Sequence, residues 1–132
     1  VGRGAWWLFA VAVTANVVLL FWPRAPGTPS GSHLDKVVHV LSFAFVTWSG
    51  ARAGLPIRLL VAVLAVHAVT SELIQHSLLA GRSGDPADVL ADLAGVGGVA
   101  LAIGAASWRD GRSERDRQRD DGAPPRREPH AG

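Results

Sequence analysis

Residues 5–22 read AWWLFAVAVTANVVLLFW. These 18 positions carry no charge, and their only polar members are Thr14 and Asn16. At about 1.5 Å per residue, a helix of that length spans about 27 Å, close to the hydrocarbon thickness of a bilayer. A helix with no polar face cannot rest on a water-facing surface, so the run predicts a membrane span. A secretory signal peptide is the rival reading. Its apolar region is usually about 7–15 residues, shorter than this one, and no small-residue cleavage pattern follows here, so a retained helix is expected.

Three further apolar stretches lie C-terminal to it. The Pro/Gly/Ser-rich segment 23–32 cannot continue a helix. Val37 to Trp48 comes next, entered through Asp35, Lys36 and His39. To cross a bilayer, its helix must run from about 34 to 51 and carry those polar groups in its first turns. Gly50, Gly54 and Pro56 then predict a tight turn. The third helix, 57–79, is apolar in its first half and polar in its second, at His67, Thr70, Ser71, Glu72, Gln75 and His76. Gly81 is a natural stop. Asp85-Pro86-Ala87-Asp88 reads as a helix start, with Asp85 as N-cap and Pro86 in the first turn, and the fourth helix is expected over 86–108. Ala94, Gly98, Ala102 and Ala106 recur every four residues there, a small-residue ridge on which another helix could pack closely. The expected fold is an all-α polytopic membrane bundle of four transmembrane helices.

All but two of the apolar residues fall within 1–108. The remainder, 109–132, mixes Arg, Asp, Glu, Pro and Gly without an apolar period and is expected to be a disordered, charged cytoplasmic tail. Its seven Arg stand against six acids, and the body has six basic residues against five acids, so neither part offers the one-signed basic patch that nucleic acid requires. The absence of cysteine excludes disulfides, thiolate nucleophiles and Cys-ligated zinc. Trp6, Trp7, Trp22, Trp48 and Trp108 fall near the expected span ends, at the headgroup level that indoles prefer.

With four spans, Arg3, Arg52, Arg58 and the tail's arginines share one side, while Arg24, Lys36 and Arg82 share the other. The positive-inside rule then predicts a plasma-membrane protein with both termini cytoplasmic. That orientation brings Asp35, Lys36 and His39, then Glu72, Gln75 and His76, then Arg82, Asp85, Asp88 and Asp92 to the outer face. Helical spacing aligns Asp35 with His39 and Ser42, Glu72 with Gln75 and His76, and Asp88 with Asp92 and Gly95. Ionisable groups below the headgroups must pair or face a wet cavity, so these stripes are expected to face one another around an outward-facing polar pocket. Asp85 is expected to do little beyond capping, and His67, deeper in its helix, to pack. Lys36 and Arg82 are the groups expected to meet a ligand's anionic parts. A metal set from Glu72, His76, His39 and Asp88 is chemically reasonable, but it lacks the H-E-x-x-H spacing, and neither metal nor cofactor is expected. The chain has no G-x-S-x-G elbow, P-loop or dinucleotide fingerprint.

The ordered set Asp35-Lys36-x-x-His39, Glu72-x-x-Gln75 and Gly81-Arg82, with Asp88 and Gly95 beyond, resembles the VanZ-like family of small bacterial membrane proteins over roughly residues 34–102. The resemblance implies a helical bundle in the plasma membrane and a link, in some members, to reduced sensitivity to teicoplanin. It implies no mechanism. One position departs from the pattern: four residues after Asp88 the family usually has Asn, where this chain has Asp92. The expected function is binding of membrane lipids and of a lipid-linked envelope precursor or lipoglycopeptide by Asp35, Lys36, His39, Glu72, Gln75, His76, Arg82, Asp88 and Asp92. Two alternatives stand beside it: a membrane-embedded acid/base enzyme acting on an envelope lipid, and a proton-linked carrier that uses His67 and Glu72 as a relay.

Overall fold

A computed structural model describes residues 1–22, 33–78 and 85–121. All regular structure among them is α-helical: α1 (Arg3–Phe21), α2 (His33–Arg52), α3 (Ile57–Leu78) and α4 (Pro86–Asp121). The chain divides into two compact units, Val1–Leu101 and Ala102–Gly132. Three helices, α1, α3 and α4, are long and apolar enough to cross a membrane.

Within the first unit the burial pattern is that of a protein dissolved in lipid. Large apolar side chains point outward: Leu41 is 63% exposed, Val66 and Leu90 68%. Polar ones are turned inward, and Asn16, His39, Thr47, Ser49, Ser71, Gln75, Asp88 and Asp92 are all buried. In water so much exposed apolar surface would drive aggregation, whereas in a bilayer it meets acyl chains. Helix α1 buries one stripe, Ala12, Asn16 and Leu20. Helix α2 is amphipathic in the inverted sense. Leu34, Val37, Leu41, Phe45 and Trp48 form its exposed apolar face, while His39, Phe43, Val46, Thr47, Ser49 and Gly50 are buried. Its polar residues therefore face protein, which is how a helix with charged first turns can share a bundle with three strongly apolar ones. Ala12, Leu20, Phe43, Val46, Leu64, Ala68 and Val96 form the apolar core, with Phe9, Phe21 and Val89 packed against it. Hydroxyls on the helices are satisfied locally: Thr47 Oγ1 donates to the Phe43 carbonyl at 2.8 Å and Ser71 Oγ to that of Ala68 at 3.0 Å.

Two close approaches fix the packing. A β-carbon on Gly95 would collide with the Val40 carbonyl oxygen and come within 3.0 Å of Ala44 N, so α4 lies directly on the α2 backbone. At the other end, a β-carbon on Gly50 would meet Leu60 Cδ2 at 2.7 Å and Phe9 Cε2 at 3.0 Å. The α2–α3 turn follows. Gly54 takes φ +84°, a left-handed conformation that favours glycine, and Leu55 N donates to the Gly50 carbonyl at 3.1 Å.

Two expectations are corrected. The Ala94/Gly98/Ala102/Ala106 ridge is exposed, and the close contact is made by Gly95, on the neighbouring face with Ala91, Asp92 and Val96. The polar stripe decides which face turns inward, because burying Asp88 and Asp92 rotates the small-residue ridge outward. The fourth helix does not end at Trp108 but continues to Asp121, since residues 109–121 contain no proline and are mostly Arg, Asp, Glu, Gln and Ser, which a helix accommodates. The rest of the tail expected to be disordered, 122–132, lies outside the described residues, as do the 23–32 loop, Leu79, Gly81 and Arg82.

Candidate functional site

The N-terminal turns of α2 and α4 and the C-terminal turns of α3 come together in a polar cluster. Lys36 Nζ sits 2.8 Å from Asp85 Oδ2 and 3.0 Å from Asp88 Oδ1. Asp85 is therefore more than a cap. Its Oδ1 accepts the Ala87 amide at 2.9 Å, as an N-cap should, but its Oδ2 binds Lys36 and its own amide donates to Glu72 Oε1. The Lys36 ammonium, aided by the Ala87 amide, holds the Asp85 carboxyl below its ordinary pKa.

One turn further along both helices, His39 Nδ1 and Asp92 Oδ1 are 2.8 Å apart, with side chains 4% and 1% exposed. This hydrogen bond between Nδ1 and the carboxyl oxygen fixes the imidazole ring against α4. Asp92 Oδ2 is buried and has no hydrogen-bond partner among the described residues. Asp35 lies on the same face of α2, and a cavity of about 20 Å³ opens beside it, lined by Leu19, Leu20, Asp35, Val38, His39 and Ser42.

Below this level the polar contacts run inward between α1, α2 and α3. Asn16 Nδ2 donates to Ser42 Oγ, and His67 Nε2 donates to Asn16 Oδ1 at 3.0 Å. The His67 ring stacks on Phe43, with centroids 5.5 Å apart. Gln75 Nε2 donates to the Leu20 carbonyl at 3.1 Å, tying α3 to the end of α1. His67 thus packs and bonds, in keeping with its depth, and Gln75 serves as a tie between helices. Sequence reasoning does not single out Asn16 as a partner. The signal available is its position, a lone amide within an uncharged run, where a buried polar group must be satisfied.

Among the described residues, two clefts open on the sides of the first unit. One of about 310 Å³ lies between α3 and α4 and is lined by Val69, Glu72, Leu73, His76, Pro86 and Val89. The other, about 260 Å³, lies between α1 and α2 and is lined by apolar side chains together with Asn16 and Ser42. Of these two, the first alone carries ionisable groups, Glu72 and His76.

Of the nine residues proposed from sequence, Asp35, Lys36, His39, Glu72, Asp88 and Asp92 belong to the polar cluster or its immediate rim. Gln75 lies beneath it and His76 is exposed in the α3–α4 cleft; Arg82 lies outside the described residues. Lys36, expected to meet a ligand's anionic part, is held here by Asp85 and Asp88. The described cluster sets five carboxyl groups, of Asp35, Glu72, Asp85, Asp88 and Asp92, against the ammonium of Lys36 and the imidazole of His39. Such a set favours cations, amines and hydroxyl donors over anions. No family model, curated protein or solved structure matches this chain.

Proposed function

We propose that this chain is a four-span plasma-membrane protein, termini cytoplasmic, that binds an amphipathic cell-envelope molecule in the α3–α4 cleft. The observation that carries this reading is the composition of the cleft. Val69, Leu73, Pro86 and Val89 give it an apolar wall, and Glu72 and His76 supply polar groups on the same wall. An acyl or polyprenyl chain would lie along the wall, and an amine- or hydroxyl-bearing headgroup would meet Glu72, whose Oε1 is already oriented by the Asp85 amide. The charge balance argues for an amine in place of an anionic contact with Lys36. Resemblance to VanZ-like proteins makes teicoplanin tolerance the phenotype to score. An acid/base enzyme is the second reading, favoured by the His39–Asp92 pair, which has the geometry of a base and its orienting carboxylate.

Mass spectrometry of molecules retained by the purified protein tests the binding reading. The wild type should retain an amine-bearing lipid or lipid-linked precursor. Leu73→Trp, which fills an exposed cleft position, should lose it at an unchanged melting temperature. Equal retention by both proteins would remove the cleft as the binding site. Turnover of envelope lipids by the wild type, abolished in His39→Gln, would favour the enzyme.

A further inference from the structure

We propose that Asp35, His39 and Asp88 form a binding site for a divalent transition-metal ion at the N-terminal ends of α2 and α4. One ring nitrogen of His39 and one carboxylate oxygen from each aspartate all lie within 4.8 Å of one another. Ligands about 2.1 Å from a tetrahedral ion stand about 3.4 Å apart, so small side-chain rotations close the set. His39 and Asp88 are buried and Asp35 is half-buried, unlike the solvated acidic groups that gather on surfaces without binding anything.

Two observations besides the ligand set point to an ion. First, Asp92 binds His39 Nδ1 at 2.8 Å, so an ion taken by Nε2 would complete the carboxylate–histidine–metal relay that orients metal-bound imidazoles. Second, Asp92 is 1% exposed and its Oδ2 has no partner among the described residues, so a carboxylate is buried behind the histidine with half of its hydrogen-bonding capacity unmet. Lys36 does not close the site. It engages Asp88 through Oδ1, and the second carboxylate oxygen can turn towards the ion. One imidazole and two carboxylates suit Zn²⁺ or Mn²⁺, and three protein ligands leave a position open for water or for a ligand's donor atom. The sequence conceals this set because Asp88 is 53 positions from Asp35. The site stands apart from the α3–α4 cleft and does not rest on lipid binding.

The test is Zn²⁺ titration of the chelator-treated full chain in nanodiscs, prepared without a polyhistidine tag and corrected for empty nanodiscs. The wild type should take up one equivalent. Asp35→Asn should weaken binding at least about tenfold, with a metal-free melting temperature equal to that of the wild type. Asp92→Asn should keep the one-to-one stoichiometry and weaken binding by about 10–100-fold, as loss of an orienting carboxylate does. Leu73→Trp should bind Zn²⁺ like the wild type, which separates failure of this site from failure of the lipid cleft. No uptake above empty nanodiscs, or undiminished affinity in Asp35→Asn, would overturn the assignment.

Discussion

His39 on α2 and Asp92 on α4 are joined at 2.8 Å while both are buried, so the two helices are locked nearly two turns below their N-terminal ends by an interaction inaccessible to solvent. A buried pair of this kind is costly to break from one side, because the remaining partner stays desolvated and unpaired. His39→Leu should therefore destabilise the protein by about 3–5 kcal/mol. The double variant His39→Leu/Asp92→Leu should recover much of that loss, since it leaves no orphaned charge. Unfolding measured across the four-member cycle checks this, and additive losses would mean that the pair is not coupled.

Gly95 should tolerate nothing larger. The Val40 carbonyl that its β-carbon would strike belongs to helix backbone and cannot rotate aside, so Gly95→Ala should cost about 1–3 kcal/mol. At Gly98 an added β-carbon would meet nothing within 4 Å, so alanine should be accepted there and gain up to about 1 kcal/mol from helix propensity. Melting temperatures that fall for Gly95→Ala and hold or rise for Gly98→Ala would establish which face of α4 meets α2.

The Lys36–Asp85 contact should leave a signature in pH. The Asp85 carboxyl titrates lower in the folded protein than in the unfolded chain because the Lys36 ammonium binds its ionised form. A depressed folded-state pKa contributes stability that is fully present above the unfolded value of about 3.9 and is lost as pH falls through the folded value. The melting-temperature gap between wild type and Asp85→Asn should thus be constant from about pH 7 to pH 5 and narrow below about pH 4. A gap that persists unchanged in acid would mean that the ionised carboxylate, and with it the Lys36 contact, adds nothing to stability.

The orientation has its own test, simplified by a chain without cysteine. Single cysteines at Ser32 and Ser83 should react with an impermeant thiol reagent in intact cells, and one at Ser113 should react only after lysis. Labelling of Ser113 alone would invert the topology, and with it the outward-facing placement of the cluster.

Helix count and the gathering of polar residues at one end are legible in the sequence because both depend on local pattern. An uncharged run of 18 residues announces α1, and the positions of Asp35, His39, Glu72 and Asp88 along their helices place them at one end once the helices alternate in direction. Pairing is not legible. Lys36 meets Asp85 and Asp88 across 49 and 52 positions, and nothing in the spacing tells an ammonium held by carboxylates from one reaching for a lipid phosphate. The packing face of α4 is hidden for a related reason. Small residues lie on two of its faces, and the inward face is chosen by where Asp88 and Asp92 find partners. Residues 109–121 show the converse limit: low apolar content suggests a tail, although the helix propensities of those residues allow α4 to continue.

Binding at the cleft is the central claim, and Glu72→Gln tests it most directly. Glutamine keeps a carbonyl oxygen for the Asp85 amide, so the α3–α4 contact survives while the carboxylate charge is lost. The measurement is the amount of co-purified amphiphile per folded protein, with the melting temperature taken on the same samples. The expected result is an amine-bearing amphiphile retained by the wild type and lost from Glu72→Gln, at melting temperatures within a few degrees of one another. Retention undiminished in Glu72→Gln, or a loss that only follows loss of folded protein, would contradict a binding role and leave the polar cluster as a scaffold that holds the helices together.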